Sequence, residues 1–243
     1  VIDLEEYNIF ENIKAIFFDF DGTLVDFETN SIKALNAIVD EIHNYLKEEF
    51  NKEIDKEELK NLIFKISYKL DEEGVVDRNY WWSEIFKNLN IDVEREILYE
   101  LSSLYWSIAS ENIPYEDSLE TLRYLKSKGL KLGIITNSDG EGGNKRKRIE
   151  KFPLYDYFDI IIISGEAGIK PKPHREPFIL ACEKLNFQVR ECVMIGDDPI
   201  KDCLAAKKAG LVSVLVDRKG KVKFAELYAD LVIKSLTELQ EFF

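Results

Sequence analysis

The chain has 243 residues, 45% of them hydrophobic and 12% aromatic, which is enough for one large domain, or one domain carrying a smaller insert, around a packed core. A formal net charge of −13 argues against a basic nucleic-acid-binding face, and with only two histidines, His43 and His174, His-rich zinc sites and histidine triads are nearly excluded. Three cysteines without a CxxC pair (Cys182, Cys192, Cys203) read as buried free thiols, and the lack of a bilayer-length apolar run or an opening signal-peptide pattern leads to the expectation of a cytoplasmic protein with no membrane partner.

The first predicted element is a strand at residues 14–19, where Ala15, Ile16, Phe17 and Phe18 are apolar in succession. Asp19 and Asp21 stand where that run ends. Ionised carboxylates are costly to desolvate at the mouth of a core strand, so the pair calls for a partner: a cation, a proton or a substrate.

A long helical region follows. Its first helix, over about Ser31–Phe50, spaces Ile32, Leu35, Val39, Ile42, Leu46 and Phe50 along one face. A second opens at "DKEE" with Asp55 as cap, and then presents Leu59, Leu62, Ile63 and Ile66. A third holds Trp81, Trp82, Ile85, Phe86 and Leu89, and a fourth starts near Asp92 and carries Val93, Ile97, Leu101, Leu104 and Ile108. Four amphipathic helices in this stretch read as a bundle of their own.

Beyond Pro114 helices and strands alternate. A helix over Ser118–Lys128 stops at Gly129, and strands follow at Lys131–Thr136, Phe158–Ser164, Cys192–Gly196, Val212–Val216 and Asp230–Ile233. Continuous apolar strands between helices predict an α/β fold with a doubly wound parallel sheet. Residues 1–26 and 114–243 are then the core, with residues 27–113 a four-helix-bundle insert after its first strand.

Ligands of open α/β sheets bind outside the carboxyl ends of the strands. The polar residues expected there are Asp19 and Asp21 after the first strand, Thr136 and Asn137 after "LGII", Lys170 and Lys172 in "GIKPKPHREP", and Asp197, Asp198 and Asp202 in "GDDPIKD". Carboxylates, a hydroxyl and a lysine thus converge on one sheet edge.

"DFDGT", "TN", "KPKP" and "GDDPIKD", in this order, resemble the four motifs of the haloacid dehalogenase (HAD) superfamily, specifically its phosphatases with a helical cap inserted after the first strand (the C1 type). The resemblance implies a Rossmann-like core and a Mg²⁺-dependent phosphatase acting on a small phosphate ester through an aspartyl-phosphate. It implies Asp19 as nucleophile and metal ligand, Asp197 as second carboxylate ligand, and the backbone carbonyl of Asp21 as a third. The Asp21 side chain would serve as general acid and base, Thr136 and Asn137 would bind the phosphate, a lysine would offset its charge, and Asp202 would support that lysine or a metal-bound water. Asp21 argues against a dehalogenase, since a halide leaving group needs no proton. A phosphomutase of the same family, and a non-catalytic binding protein on the same fold, remain the alternatives. No nucleic-acid partner is expected, and a monomer and a homodimer are both open.

Two stretches depart from the pattern. Either Lys170 or Lys172 fits the third motif; Lys172 is preferred because the spacing back from "GDD" falls on it without a gap. The Gly-rich stretch "SDGEGGNKRKR" lacks P-loop spacing and reads as a turn into a helix whose basic run Lys145–Arg148 is solvated. Tyr80, Trp81 and Trp82 read either as packing between insert helices or as residues that set specificity.

Overall fold

The computed structural model describes residues 9–243. Six strands, β1 (Ala15–Phe18), β2 (Lys131–Asn137), β3 (Ile160–Ser164), β4 (Cys192–Gly196), β5 (Val212–Val216) and β6 (Leu231–Ile233), form one sheet of order β3-β2-β1-β4-β5-β6, with every pairing parallel. The strands are apolar runs because both faces of the sheet are covered. Along β1, Ile16 and Phe18 join Leu132, Ile134, Val193 and Ile195 against Leu122 and Leu125 of a helix at Glu116–Ser127. Ala15 and Phe17 face the other way, toward Phe178, Ala181 and Cys182 of a helix at Glu176–Lys184. This is the two-residue period of a pleated strand.

The helical unit contains α1 (Phe27–Phe50), α2 (Lys56–Glu72), α3 (Arg78–Asn88) and α4 (Arg95–Ala109). Helix α1 buries Ala34, Leu35, Ile38, Val39, Ile42 and Leu46 at helical spacing. Each large aliphatic side chain so buried contributes about 1.5–3 kcal/mol. The Asp55 carboxylate accepts the N–H groups of Glu57 and Glu58 and so begins α2 where the sequence puts it. Trp81 and Trp82 lie in the core of this unit with Tyr105 and Trp106, whereas Tyr80 is exposed.

The chain divides into two compact units, and the division differs from the sequence-based one at residues 138–148, which belong with helices α1 to α4. The cause is Asp139. It is buried and its Oδ1 meets the Lys145 ammonium at 2.8 Å and the Arg148 guanidinium at 3.0 Å. The backbone carbonyl of Arg148 accepts the Asn112 amide, and its guanidinium lies over the rings of Phe27 and Trp106. The expected solvated run is therefore corrected: Lys145 and Arg148, three apart on the helix Lys145–Glu150, are buried, and of the four only Arg146 and Lys147 face out. Cys182, Cys192 and Cys203 are free and buried. Among the described residues no helix is long and apolar enough to cross a membrane.

Candidate active site

The order in which successive strands are added reverses between β1 and β4, the switch point at which open α/β sheets form their ligand crevice. Asp19 is the first residue past β1. Its N–H donates to the Ile195 carbonyl at 2.8 Å, carrying the β1–β4 ladder one step further and holding Asp19 beside the end of β4. Asp197 follows the last residue of β4, and Asp202 lies in the π-helical turn Pro199–Leu204 behind it. One carboxylate oxygen from each of Asp19, Asp197 and Asp202 lies within 4.8 Å of the others.

Two glycines allow this crowding. Gly22 has a φ of +80°, and a Cβ there would sit 2.2 Å from Asp197 Oδ2. At Gly196 a Cβ would sit 2.2 Å from Asp202 Oδ2. The Thr23 hydroxyl donates to Asp197 Oδ1 at 3.4 Å.

Lys172 enters the same cluster from the loop after β3. Its buried ammonium donates to Asp19 Oδ1 at 2.8 Å, to Asp202 Oδ1 at 2.5 Å and to the Ile135 carbonyl at 2.9 Å. All its protons are thereby used. Burial works to lower the lysine pKa, but the charges of Asp19 and Asp202 outweigh it, so Lys172 stays protonated. Burial drives Asp202 up; Lys172 pulls it back, the charge of Asp19 adds to the rise, and the result is about 7. Asp197 keeps an open face to solvent, yet protein crowding, followed by the charges of Asp19 and Asp202, raises its pKa as well. Three carboxylates around one lysine leave excess negative charge, and an oxygen-only donor set of this kind fits a hard divalent cation such as Mg²⁺.

The structure brings together Asp19, Lys172, Asp197 and Asp202. Asp21 stands two residues beyond Asp19, half-buried, in a turn closed by the Gly22 N–H to the Val25 carbonyl at 2.9 Å. Thr136 is buried at the end of β2 on the other side of β1. Lys170 is exposed and stands outside the cluster, so the lysine delivered to Asp19 is Lys172.

Asn137 has a structural part that the sequence did not suggest. Its Oδ1 accepts the Lys172 N–H at 2.8 Å and the Ser164 hydroxyl at 2.6 Å, and its Nδ2 donates to the Lys172 carbonyl at 3.2 Å. Its amide thus braces the lysine loop on both sides of the Lys172 backbone. Asp202 joins the group of possible metal ligands, where the sequence placed it only as support. Asp198 caps the turn that carries Asp202, accepting the N–H groups of Ile200 and Lys201.

Two residues escaped the sequence reading. Ser164 ends β3 in register with Asn137, a signal visible as the polar end of "IIIIS". Arg218 donates to the Thr23 carbonyl at 3.0 Å and forms a two-pronged pair with Asp117 at 2.8 and 3.0 Å, tying the turn after Asp19 to the core. Nothing in the local sequence marks it.

Residues 13–210 match the family model of the haloacid dehalogenase-like hydrolases. The chain is 31% identical over 236 residues to a glyceraldehyde 3-phosphate phosphatase of Methanocaldococcus jannaschii, covering 93% of this chain and 95% of that protein. It is 27% identical over 220 residues to the mouse (Mus musculus) N-acylneuraminate-9-phosphatase, covering 86% and 85%. Among solved structures it resembles a HAD phosphatase from Thermococcus onnurineus with a TM-score of 0.64 and 29% identity, over 94% of this chain and 97% of that one. With its sheet-edge carboxylates, its lysine and these relatives, the chain belongs to the haloacid dehalogenase-like hydrolases, as a phosphoric monoester hydrolase.

Proposed function

We propose that the chain is a Mg²⁺-dependent phosphatase of a small phosphorylated metabolite and that it carries the phosphoryl group transiently on Asp19. The observation behind this reading is that Lys172 bridges Asp19 and Asp202 while Asp19, Asp197 and Asp202 share one oxygen-lined space. A phosphate monoester is a dianion, and a carboxylate nucleophile approaches it only where charge is offset.

Asp19 attacks phosphorus, forming an acyl phosphate as the ester O–P bond breaks. Asp21 gives a proton to the leaving alkoxide, then takes one from the water that hydrolyses the acyl phosphate. Lys172 offsets charge on the transferring group, and the Thr136 hydroxyl holds a phosphoryl oxygen at the end of β2. Asp202 keeps the lysine charged and in place. Asp19, Asp197 and the Asp21 carbonyl, with Asp202 beside them, would hold Mg²⁺, which when bound neutralises charge on the phosphate and orients it. The two relatives whose names state a substrate act on small phosphate esters, which supports a small metabolite.

The test is hydrolysis of p-nitrophenyl phosphate and a panel of small esters, with Mg²⁺ and with EDTA. Release that depends on Mg²⁺ is expected. No release from any ester by folded, Mg²⁺-loaded protein would overturn the reading.

A further inference from the structure

The turn after Asp19 is shaped by its own backbone and gripped from a distant part of the same compact unit. Within it, the N–H groups of Leu24 and Val25 donate to the Phe20 carbonyl at 3.0 and 3.1 Å, and the Gly22 N–H donates to the Val25 carbonyl at 2.9 Å. By themselves those bonds would let the turn tilt as one piece. Attachment comes from two sides. The Tyr115 N–H and the Ser118 hydroxyl donate to the Leu24 carbonyl at 3.0 and 2.9 Å. Arg218, which follows β5 and so lies beyond β4 in the sheet order, donates to the Thr23 carbonyl at 3.0 Å, two residues past Asp21.

The arginine is itself fixed. Its two terminal nitrogens meet the two oxygens of Asp117 at 2.8 and 3.0 Å, and the guanidinium carbon lies 3.9 Å from the centre of the Tyr115 ring. The Asp117 carboxylate also accepts the Ser235 hydroxyl and the Leu236 N–H, each at 2.8 Å. Burial opposes ionisation of Asp117, but the hydrogen bonds from Arg218, Leu236 and Ser235 outweigh it and hold its pKa below the usual carboxylate range. A guanidinium carries its N–H donors in one rigid plane. Two prongs seated on a fixed carboxylate therefore also fix the direction of the N–H that meets Thr23. A lysine ammonium would keep the charge and lose that plane. A displacement of about 1 Å at a reacting group can cost about 100-fold in rate, so a tie two residues from a proton donor bears on the reaction as well as on the fold.

We propose that Arg218 is a positioning residue for the proton transfer assigned to Asp21: by fixing the Thr23 carbonyl it sets the turn from which Asp21 protonates the leaving oxygen. The proposal rests on the phosphatase reading. Its consequence is a dependence on the leaving group. An alkoxide needs a proton as the O–P bond breaks, whereas p-nitrophenolate spreads its charge over the ring and departs without one. An arginine serving only the fold would affect both esters in equal proportion.

The test compares kcat/KM for p-nitrophenyl phosphate with kcat/KM for the alkyl phosphate that the wild type hydrolyses best. The wild type, R218M, R218K, D117N and the reference D21N are measured, with urea unfolding recorded for each. These kcat/KM values cover the steps up to departure of the alcohol, so hydrolysis of the acyl phosphate does not enter them. D21N is expected to lower the alkyl-to-aryl ratio about 100-fold or more, and R218M about tenfold or more in the same direction. R218K recovers part of the loss, and D117N, which frees the guanidinium from its carboxylate, shifts the ratio the same way by less. An unchanged ratio in R218M overturns the proposal, whether both activities fall together or neither falls. Where R218M fails to fold, unchanged ratios in R218K and D117N do the same. A D21N enzyme whose ratio stays put overturns the role given to Asp21 and the proposal with it. Folded, Mg²⁺-loaded wild type that hydrolyses neither ester overturns the phosphatase reading itself.

Discussion

Replacing Lys172 by alanine removes three hydrogen bonds at once, two of them to carboxylates, from a side chain buried to 5% exposure. Breaking a buried pair by removing one partner costs about 3–5 kcal/mol, because the remaining charge is left uncompensated. That cost depends on pH in a direction fixed by Asp202. Its folded-state pKa is about 7, raised above the unfolded value near ~3.9, and loss of Lys172 moves it further in the same direction. The native state therefore holds the proton more tightly than the unfolded one, and stability is lost as pH rises through the folded pKa. At pH 5 the Asp202 carboxyl is neutral with or without the lysine, and only Asp19 lacks its partner in the variant; above pH 7 the wild type ionises Asp202 against Lys172, whereas the variant has no partner for that charge. Urea unfolding of metal-free protein is thus expected to show K172A destabilised by about 3–5 kcal/mol at pH 8 and by less at pH 5. K170A, changing an exposed residue, stays within about 0.5 kcal/mol of wild type at both. Turnover of K172A falls by about 100-fold or more, from loss of one preorganised electrostatic contact. Equal unfolding curves for the two lysine variants, or a greater loss for K172A at pH 5 than at pH 8, would refute this reasoning.

Three further outcomes follow from particular contacts. Burial opposes ionisation of Asp159, but its hydrogen bonds to Lys126 at 2.6 Å, the Leu132 N–H and Lys131 hold its pKa down to about 2; solvent screening limits the gain to no more than about 1 kcal/mol. That increment is present above the unfolded pKa and lost as pH falls through about 2, so the stability gap between D159N and wild type is expected to close between about pH 4 and pH 2, and a gap that widens on acidification would contradict it. D139N leaves Lys145 and Arg148 facing a neutral amide and is expected to cost about 2–3 kcal/mol in urea unfolding; a change below about 0.5 kcal/mol would show that the cluster does not hold residues 138–148. G22A places a methyl against Asp197 Oδ2 in a left-handed turn, and the Mg²⁺ concentration for half-maximal activity is expected to rise about tenfold or more; an unchanged requirement would remove Asp197 from the metal site.

The sheet was legible because a buried parallel strand is a local feature: "CVMIG" and "VSVLV" are apolar runs bounded by polar residues, and they form β4 and β5 at the expected limits. Asp19 and Asp197 were legible for the same reason, since a strand's end fixes where the next residue emerges. Helix starts were less so. Helix α1 begins at Phe27 rather than Ser31, and α4 begins at Arg95 behind Glu94, which makes no side-chain cap bond, rather than near Asp92.

Residues whose role depends on distant partners were the hardest to read. "KPKP" offers two lysines of equal local character; spacing back from "GDD" favours Lys172, and the brace from Asn137, which grips the Lys172 backbone, shows why that lysine is the one held in place. A run of four cations reads as solvated because like charges repel; nothing local reveals that Asp139 turns inward to meet the first and last of them. Arg78, likewise, is one charged residue after a cap until the aromatic rings around it are seen.

The most direct test of the central claim, that Asp19 receives the phosphoryl group, is phosphate release from p-nitrophenyl phosphate by D19N beside wild type, both Mg²⁺-loaded and with unfolding transitions recorded. The prediction is a folded variant with no detectable turnover. A folded D19N that turns over at the wild-type rate would remove Asp19 as the nucleophile.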